Sequence, residues 1–315
     1  MFCKSIRCLL GSMALLLSAS PIMAAPPKIG VLLKAKSSFW DAVGAGASEA
    51  GSALNAEVVV KAPRSESDIA VQVQLFNALL AQGVQALVIA PNDKDALAIP
   101  AAAAAAKGIK IVVIDSPLAG KAASTIVGTD QHAAGVAAGR VLAGLIADTG
   151  EVAILKHNQI SGATAERERG ALESLRDLHP KLVVHGDIFA SSEPGTEGAK
   201  AKLLLARHPT ITAVLASGTP GTLAMLAEIQ AEGLVGKTRL VGFGFNLNTQ
   251  VAAAIEAGAM QAWVAQLPKE VGKRSVEAAV ALINGQAVPP VIHTDFLIIT
   301  KENLKDPKVQ ALLNP

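Results

Sequence analysis

The sequence predicts an α/β protein made of two doubly wound units. Three observations point there. Short runs of Val, Ile and Leu are nearly continuous rather than alternating with polar residues, as in strands of a parallel sheet covered on both faces. Longer alanine-rich stretches of helical length separate them. The chain of 315 residues is about twice a common domain size. No long linker, low-complexity tract or short-period repeat divides it, so the two units are joined by a close hinge.

The elements follow in order. Strands are expected at Lys28 to Leu33, Ala56 to Lys61, Ala86 to Ala90 and Ile109 to Asp115, alternating with helices at Ser37 to Leu54, Asp68 to Gln82 and Ala96 to Lys107. Gly83 and Gly108 stand just past two of these helices, where a left-handed residue closes the last turn. The alternation then repeats. Helices at Asp130 to Ile146, Ala163 to Leu178, Gly195 to Arg207 and Leu223 to Glu232 are interleaved with strands at Glu151 to Leu155, Leu182 to Ile188, Ala213 to Ala216 and Arg239 to Phe243. A helix follows Asn248, then a strand at Gln261 to Gln266, a helix at Lys269 to Asn284 and a last strand at Thr294 to Ile299.

The first residues carry an export signal. Lys4 and Arg7 precede an uncharged run from Leu9 to Leu17, broken by Pro21 and followed by Met23, Ala24 and Ala25. The run is shorter than the roughly 20 residues of a membrane span, and cleavage is expected after Ala24. Both cysteines, Cys3 and Cys8, fall in the segment to be removed. A mature chain free of cysteine suits an oxidising compartment, the periplasm, and excludes thiolate metal sites and cysteine nucleophiles. A formal net charge of +2 that falls near zero on cleavage leaves no basic field for nucleic acid and no polybasic membrane patch.

In open α/β sheets the ligand crevice lies beyond the carboxyl ends of the strands. The residues there are Lys34, Lys36, Ser37, Phe39 and Trp40; Pro91 to Asp93; Asp115 and Ser116; His157, Asn158 and the run to Arg167; Ser217 to Thr219; Gly244 to Asn246; and Gln266. A carboxylate and an arginine in this set match vicinal hydroxyls, and an aromatic pair covers the apolar face of a sugar ring. Phe39 and Trp40 could equally be core at a helix start, Asp115 a turn residue, and Arg167 a solvated helix residue. Enzyme signatures are missing. Gly242-Phe243-Gly244 opens a dinucleotide fingerprint, but Leu247 stands where its third glycine belongs, and the six histidines show no metal-ligand spacing.

Over essentially the whole mature chain the sequence resembles the type I periplasmic sugar-binding proteins, the ribose-binding group of ABC-transporter substrate-binding proteins. The resemblance rests on Lys28-Ile29-Gly30-Val31 followed by Ser37-Ser38-Phe39-Trp40, on Ile89 to Asp93, on Ile114-Asp115 and on Val127-Gly128-Thr129-Asp130. It also rests on Ala165-Glu166-Arg167-Glu168-Arg169-Gly170, Leu240 to Phe243 and Ala265-Gln266-Leu267-Pro268. It implies two Rossmann-like lobes joined by a three-segment hinge: residues 26–129 plus 267–294, and 130–266 plus 295–315. It implies capture of a sugar or polyol between the lobes, hinge closure, docking on an inner-membrane ABC permease, a monomeric state and no cofactor or metal. The alternative within the same fold is a ligand-sensing subunit for a membrane kinase or chemoreceptor. A sugar-responsive DNA-binding repressor is excluded by the leader and by the lack of an N-terminal helix-turn-helix.

The resemblance assigns ligand binding to Ser37, Phe39, Trp40, Asp115, Arg167 and Gln266, with Asp115 and Arg167 facing each other across the cleft. Three positions depart from the ribose-binding pattern. Ser116 replaces an arginine, Gly218-Thr219 an Asn-Asp pair, and Gly244 an aspartate. Ser116, Thr219 and Asn246 then complete the expected set, and the two glycines are expected to leave room for a bulkier or less polar ligand end.

Overall fold

The computed structural model describes residues 25–191 and 195–313. The expected leader, with Cys3 and Cys8, lies outside the described residues. Two six-stranded sheets carry the fold. The first contains β1 (Lys28–Leu32), β2 (Glu57–Lys61), β3 (Ala86–Ile89), β4 (Lys110–Ile114), β5 (Thr125–Thr129) and β11 (Val291–Thr294). The second contains β6 (Thr149–Leu155), β7 (Lys181–His185), β8 (Ala213–Ala216), β9 (Arg239–Phe245), β10 (Ala262–Gln266) and β12 (Phe296–Thr300). Their orders, β2-β1-β3-β4-β5-β11 and β7-β6-β8-β9-β10-β12, are equivalent. All pairings are parallel except β10 with β12.

The helices are α1 (Ser38–Ala53), α2 (Ile69–Ala81), α3 (Ala98–Ala106), α4 (Gln131–Ala143), α5 (Gly162–Leu178), α6 (Glu197–Arg207), α7 (Thr219–Ala231), α8 (Thr249–Glu256), α9 (Pro268–Ile283) and α10 (Pro307–Gln310). They cover both faces of each sheet. Alternate residues of one strand go to opposite cores: Ile29 and Val31 pack with α1 and α9, while Leu32 packs with α2 and α3. In the second sheet Val152 and Ile154 join α4 and α5, and Ala153 and Leu155 join α6, α7 and α8. Burial on both faces is why the strands read as continuous apolar runs. Where α1 crosses α9, a Cβ on Gly46 would collide with the Lys269 carbonyl and one on Gly272 with the Val43 carbonyl. Only glycine allows that approach.

The chain passes between the sheets three times: from β5 into α4, from β10 into α9, and from β11 into β12. Here the structure departs from the sequence reading. The expected single strand Thr294 to Ile299 is two strands, with Thr294 paired to Thr129 in one sheet and Phe296 to Gln266 in the other. The run is extended throughout, and pairing changes at the exposed Asp295. β5, where no strand is expected from sequence, is a short Thr-Ile-Val-Gly-Thr run that carries a glycine and leaves Ile126 exposed. α7 starts at Thr219 instead of Leu223, since Pro220 occupies the first turn, where a missing N–H costs nothing.

Candidate functional site

Residues at the strand ends of both sheets meet around a cavity of about 630 Å3. In the strand order 2-1-3-4-5 the crevice falls beside the first strand. In the first sheet this place belongs to the segment Lys34 to Trp40 after β1, and in the second to the segment from His157 after β6. Each sheet also has a non-glycine residue with left-handed backbone at the end of its fourth strand, Asp115 (φ 62°) and Asn246 (φ 49°). Such residues are uncommon, and Asp and Asn tolerate the conformation best.

The first wall combines two aromatic rings with a buried ion pair and the Glu66 carboxylate. Phe39 meets Trp40 edge-on at 4.9 Å between ring centroids, and meets Phe245 of the opposite wall at 5.3 Å. The Trp40 indole N–H donates a long bond of 3.4 Å to Glu66. The Glu66 carboxylate also accepts from Asn158 of the other wall, again at 3.4 Å. Ser37 is exposed at the start of α1, and its hydroxyl makes no capping bond. Lys34 is 1% exposed. Its ammonium sits 2.7 Å from Asp115 Oδ2, 2.6 Å from Ser116 Oγ and 3.4 Å from Ser161 Oγ. It also lies 5.7 Å from the Trp40 ring centroid. A buried ammonium needs such partners.

The second wall is built on Arg167, which α5 buries to 3% exposure. Its Nε and Nη2 donate to Gln131 Oε1 at 3.1 and 2.6 Å, and Nη1 donates to the Ser217 carbonyl. The guanidinium carbon is 4.5 Å from the Phe243 ring centroid. Burial pulls the Arg167 pKa down to about 10, against the attraction of Asp115 and Glu168; it remains charged at neutral pH. Gln131 in turn donates to Gln266 Oε1 at 2.8 Å. One chain of hydrogen bonds therefore runs from the cavity floor to two of the segments that pass between the sheets. Glu168, whose pKa burial raises, accepts from the Ser217 hydroxyl (2.6 Å) and the His157 backbone N–H (3.0 Å).

Of the residues expected from sequence, Ser37, Phe39, Trp40, Asp115, Arg167, Thr219 and Gln266 line the cavity. Asp115 and Arg167 come from opposite sheets, but each is bonded to other groups. Two expected contacts lie behind the wall. Ser116 is 3% exposed and is taken up by Lys34 and by the Ala163 N–H at 3.2 Å. Asn246 has turned its carbonyl to the Trp263 indole N–H at 2.8 Å. The room expected at Gly244 is also filled: a Cβ there would sit inside the Trp263 ring. At Gly218 it would lie 2.9 Å from His157 Nδ1.

Lys34, His157 and Asn158, expected at strand ends without an assigned role, also line the cavity, and the structure adds Glu66 to it and Gln131 behind it. For Lys34 and His157 the sequence holds a signal, a titratable residue two positions past the first strand of each unit. Glu66 has none beyond its loop. Among the described residues no cluster of His, Cys, Asp or Glu is arranged to hold a metal ion, and no helix is long and apolar enough to cross a membrane.

Known proteins share this architecture. The chain is 30% identical over 239 residues to the ribose import binding protein of Bacillus subtilis, covering 76% of each. It is 28% identical to the D-allose-binding periplasmic protein of Escherichia coli, over 90% of this chain and 93% of that one. A carbohydrate transporter solute-binding protein from Agrobacterium radiobacter, solved with D-arabinose, superposes with a TM-score of 0.85 at 28% identity, over 92% of this chain and 99% of that one. These relatives are binding proteins, and the chain is a solute-binding protein rather than an enzyme. Residues 29–287 match the periplasmic binding protein domain model, and the chain belongs to that family of periplasmic sugar-binding proteins.

Proposed function

We propose that the chain is exported, cleaved near Ala24, and as a monomer captures one small neutral sugar or polyol, which it delivers to an inner-membrane ABC permease. The observation that carries this reading is the cavity itself: about 630 Å3, lined by strand ends of both sheets, with aromatic rings and buried polar groups from each. Such a volume suits a monosaccharide. Lys34 is neutralised by Asp115, and Arg167 is held by neutral acceptors near Asp115 and Glu168. A ligand without charge fits that balance. Relatives that bind ribose, allose and arabinose support the choice of class.

Ser37, Phe39, Trp40, Asp115, Arg167, Thr219 and Gln266 are then the ligand contacts. Residues 26–129 plus 267–294 and 130–266 plus 295–315 are the two bodies that close on the ligand. A ligand drives closure only through the extra contacts it makes in the closed form. Thermal shift and calorimetry on the mature protein with D-ribose, D-allose, D-arabinose and D-fucose test the reading. At least one is expected to raise Tm, and scattering at saturation is expected to show a smaller radius of gyration. No response to any of the four overturns it.

A further inference from the structure

Lys34 and His157 occupy equivalent places, two residues past the end of β1 and of β6. Lys34 spends its hydrogen bonds on the protein. His157 spends none from its side chain. It lines the cavity, and its Nδ1 is buried without a partner among the described residues. The backbone around it is clamped: its N–H donates to Glu168 Oε1 at 3.0 Å, and its carbonyl accepts from the Ser191 N–H at 2.8 Å. The imidazole rests where a side chain at 218 would stand, since a Cβ on Gly218 would lie 2.9 Å from Nδ1 and 3.3 Å from Cγ. The backbone of Gly218 is extended (φ −157°, ψ 158°) and open to any residue. Glycine is needed there for space and not for conformation.

We infer that His157 is a specificity-determining residue of the cavity: its imidazole takes the place of the side chain absent at Gly218 and hydrogen-bonds the ligand edge that faces the second sheet. The inference rests on the sugar-binding reading above. A neutral imidazole offers one donor and one acceptor, so the edge it reads is a hydroxyl or ring oxygen, not a charged group. The charged groups around it are Lys34 from the β1–α1 loop, Glu66 from the β2–α2 loop, Asp115 at the end of β4, Arg167 and Glu168 on α5, and Lys156 beside it in the chain. Burial, with Arg167 and Lys34, keeps the ring neutral more strongly than Glu66 and Asp115 favour its charge. Protonation would add a cation next to Arg167 and Lys34 and remove the acceptor.

The test is calorimetry with the same four sugars on wild type, His157→Leu, His157→Gln and Gly218→Ala at pH 7.5. For the sugar that wild type binds best, His157→Leu is expected to raise Kd about 5- to 100-fold, the loss of one hydrogen bond to a group left unpaired. His157→Gln is expected to recover part of that affinity. Gly218→Ala displaces the ring and is expected to weaken binding with His157 intact, and it decides the matter if His157→Leu does not fold. An unchanged Kd in folded His157→Leu, or in Gly218→Ala where that variant decides, overturns the inference and leaves the sugar reading standing. Binding of none of the sugars by wild type overturns both.

Discussion

The two walls of the cavity are equivalent in topology and differ in how their polar groups are used. On the first, Lys34 neutralises Asp115, holds Ser116 and reaches Ser161 of the second wall, and the wall presents Phe39 and Trp40. On the second, Arg167 is tied to Gln131 and Ser217, but among the described residues His157 has no side-chain partner, and Gly218 and Gly244 supply no side chain. Indole and imidazole fill those gaps from neighbouring strands. A site can thus keep its backbone plan while moving its polar chemistry from one strand end to the next. The capacity left for a ligand is then greater on the wall that satisfies itself less.

Breaking the ion pair is the largest blow to this contrast. Lys34→Met leaves the Asp115 carboxylate in a nearly closed site without its cation, a change that typically costs about 3–5 kcal/mol. Removing both charges in Lys34→Met/Asp115→Asn, which keeps at 115 a residue that tolerates the left-handed backbone, is expected to return most of that loss in urea unfolding. If the double variant is as unstable as the single one, the first wall is not held by the pair.

Next comes the gap filled by Trp263. Gly244→Ala drives a methyl into the indole, and overpacking of this kind costs about 1–3 kcal/mol. In a Trp263→Val background the further loss of Tm on Gly244→Ala is expected to shrink, a coupling that shows the indole fills the gap. Equal Tm for Gly244→Ala and wild type would show that the second wall has slack.

A smaller effect separates the two tryptophans. Trp40 lines the cavity and Trp263 is fully buried. Ligand-induced fluorescence change is expected to survive Trp263→Phe and vanish in Trp40→Phe, with affinity for the bound sugar falling by about 0.5–1.5 kcal/mol, the worth of an aromatic contact. Persistence of the signal without Trp40 would move the ligand off the first wall.

The smallest effect is in pH. His157 has a depressed pKa, so the folded state takes up its proton less readily than the unfolded chain. Its contribution is therefore present above the ordinary histidine value of about 6.5 and is lost as pH falls through the folded value. Glu168 acts in the opposite sense: its raised pKa gives stability below the ordinary glutamate value of about 4.3 that is lost as pH rises through the folded value. Tm measured from pH 8 to pH 5 is expected to fall more in wild type than in His157→Gln, and parallel curves would remove His157 from the balance.

Much of this protein was legible before any coordinate. Central strands such as β3, β8 and β10 are buried at every residue, so their sequences announce them. Two strands were not legible: β5 is short and carries a glycine, and β11, at the edge of its sheet, is four residues long and mostly uncovered, so neither shows a clear apolar run. Local rules also placed Phe39, Trp40, Asp115 and Gln266 at strand ends or helix starts, where the cavity lies, while Arg167 lies inside α5 and was assigned ligand binding by the resemblance.

What the sequence by itself determined is the repeated alternation of buried strand and helix, and with it two sheets whose strand ends carry the site. That information is local, in periodicity, burial and turn residues within a window of one element. Only the tertiary structure decided that Lys34 belongs to Asp115, 81 positions away, and to Ser161, 127 positions away. It alone decided that Trp263 fills the space at Gly244 and that His157 rests on Gly218 without a partner. A glycine in sequence reads as a missing side chain. Whether the space goes to a ligand or to a neighbour depends on close packing between strands that the chain brings together from afar, and dense packing leaves such space empty only where something else is to enter.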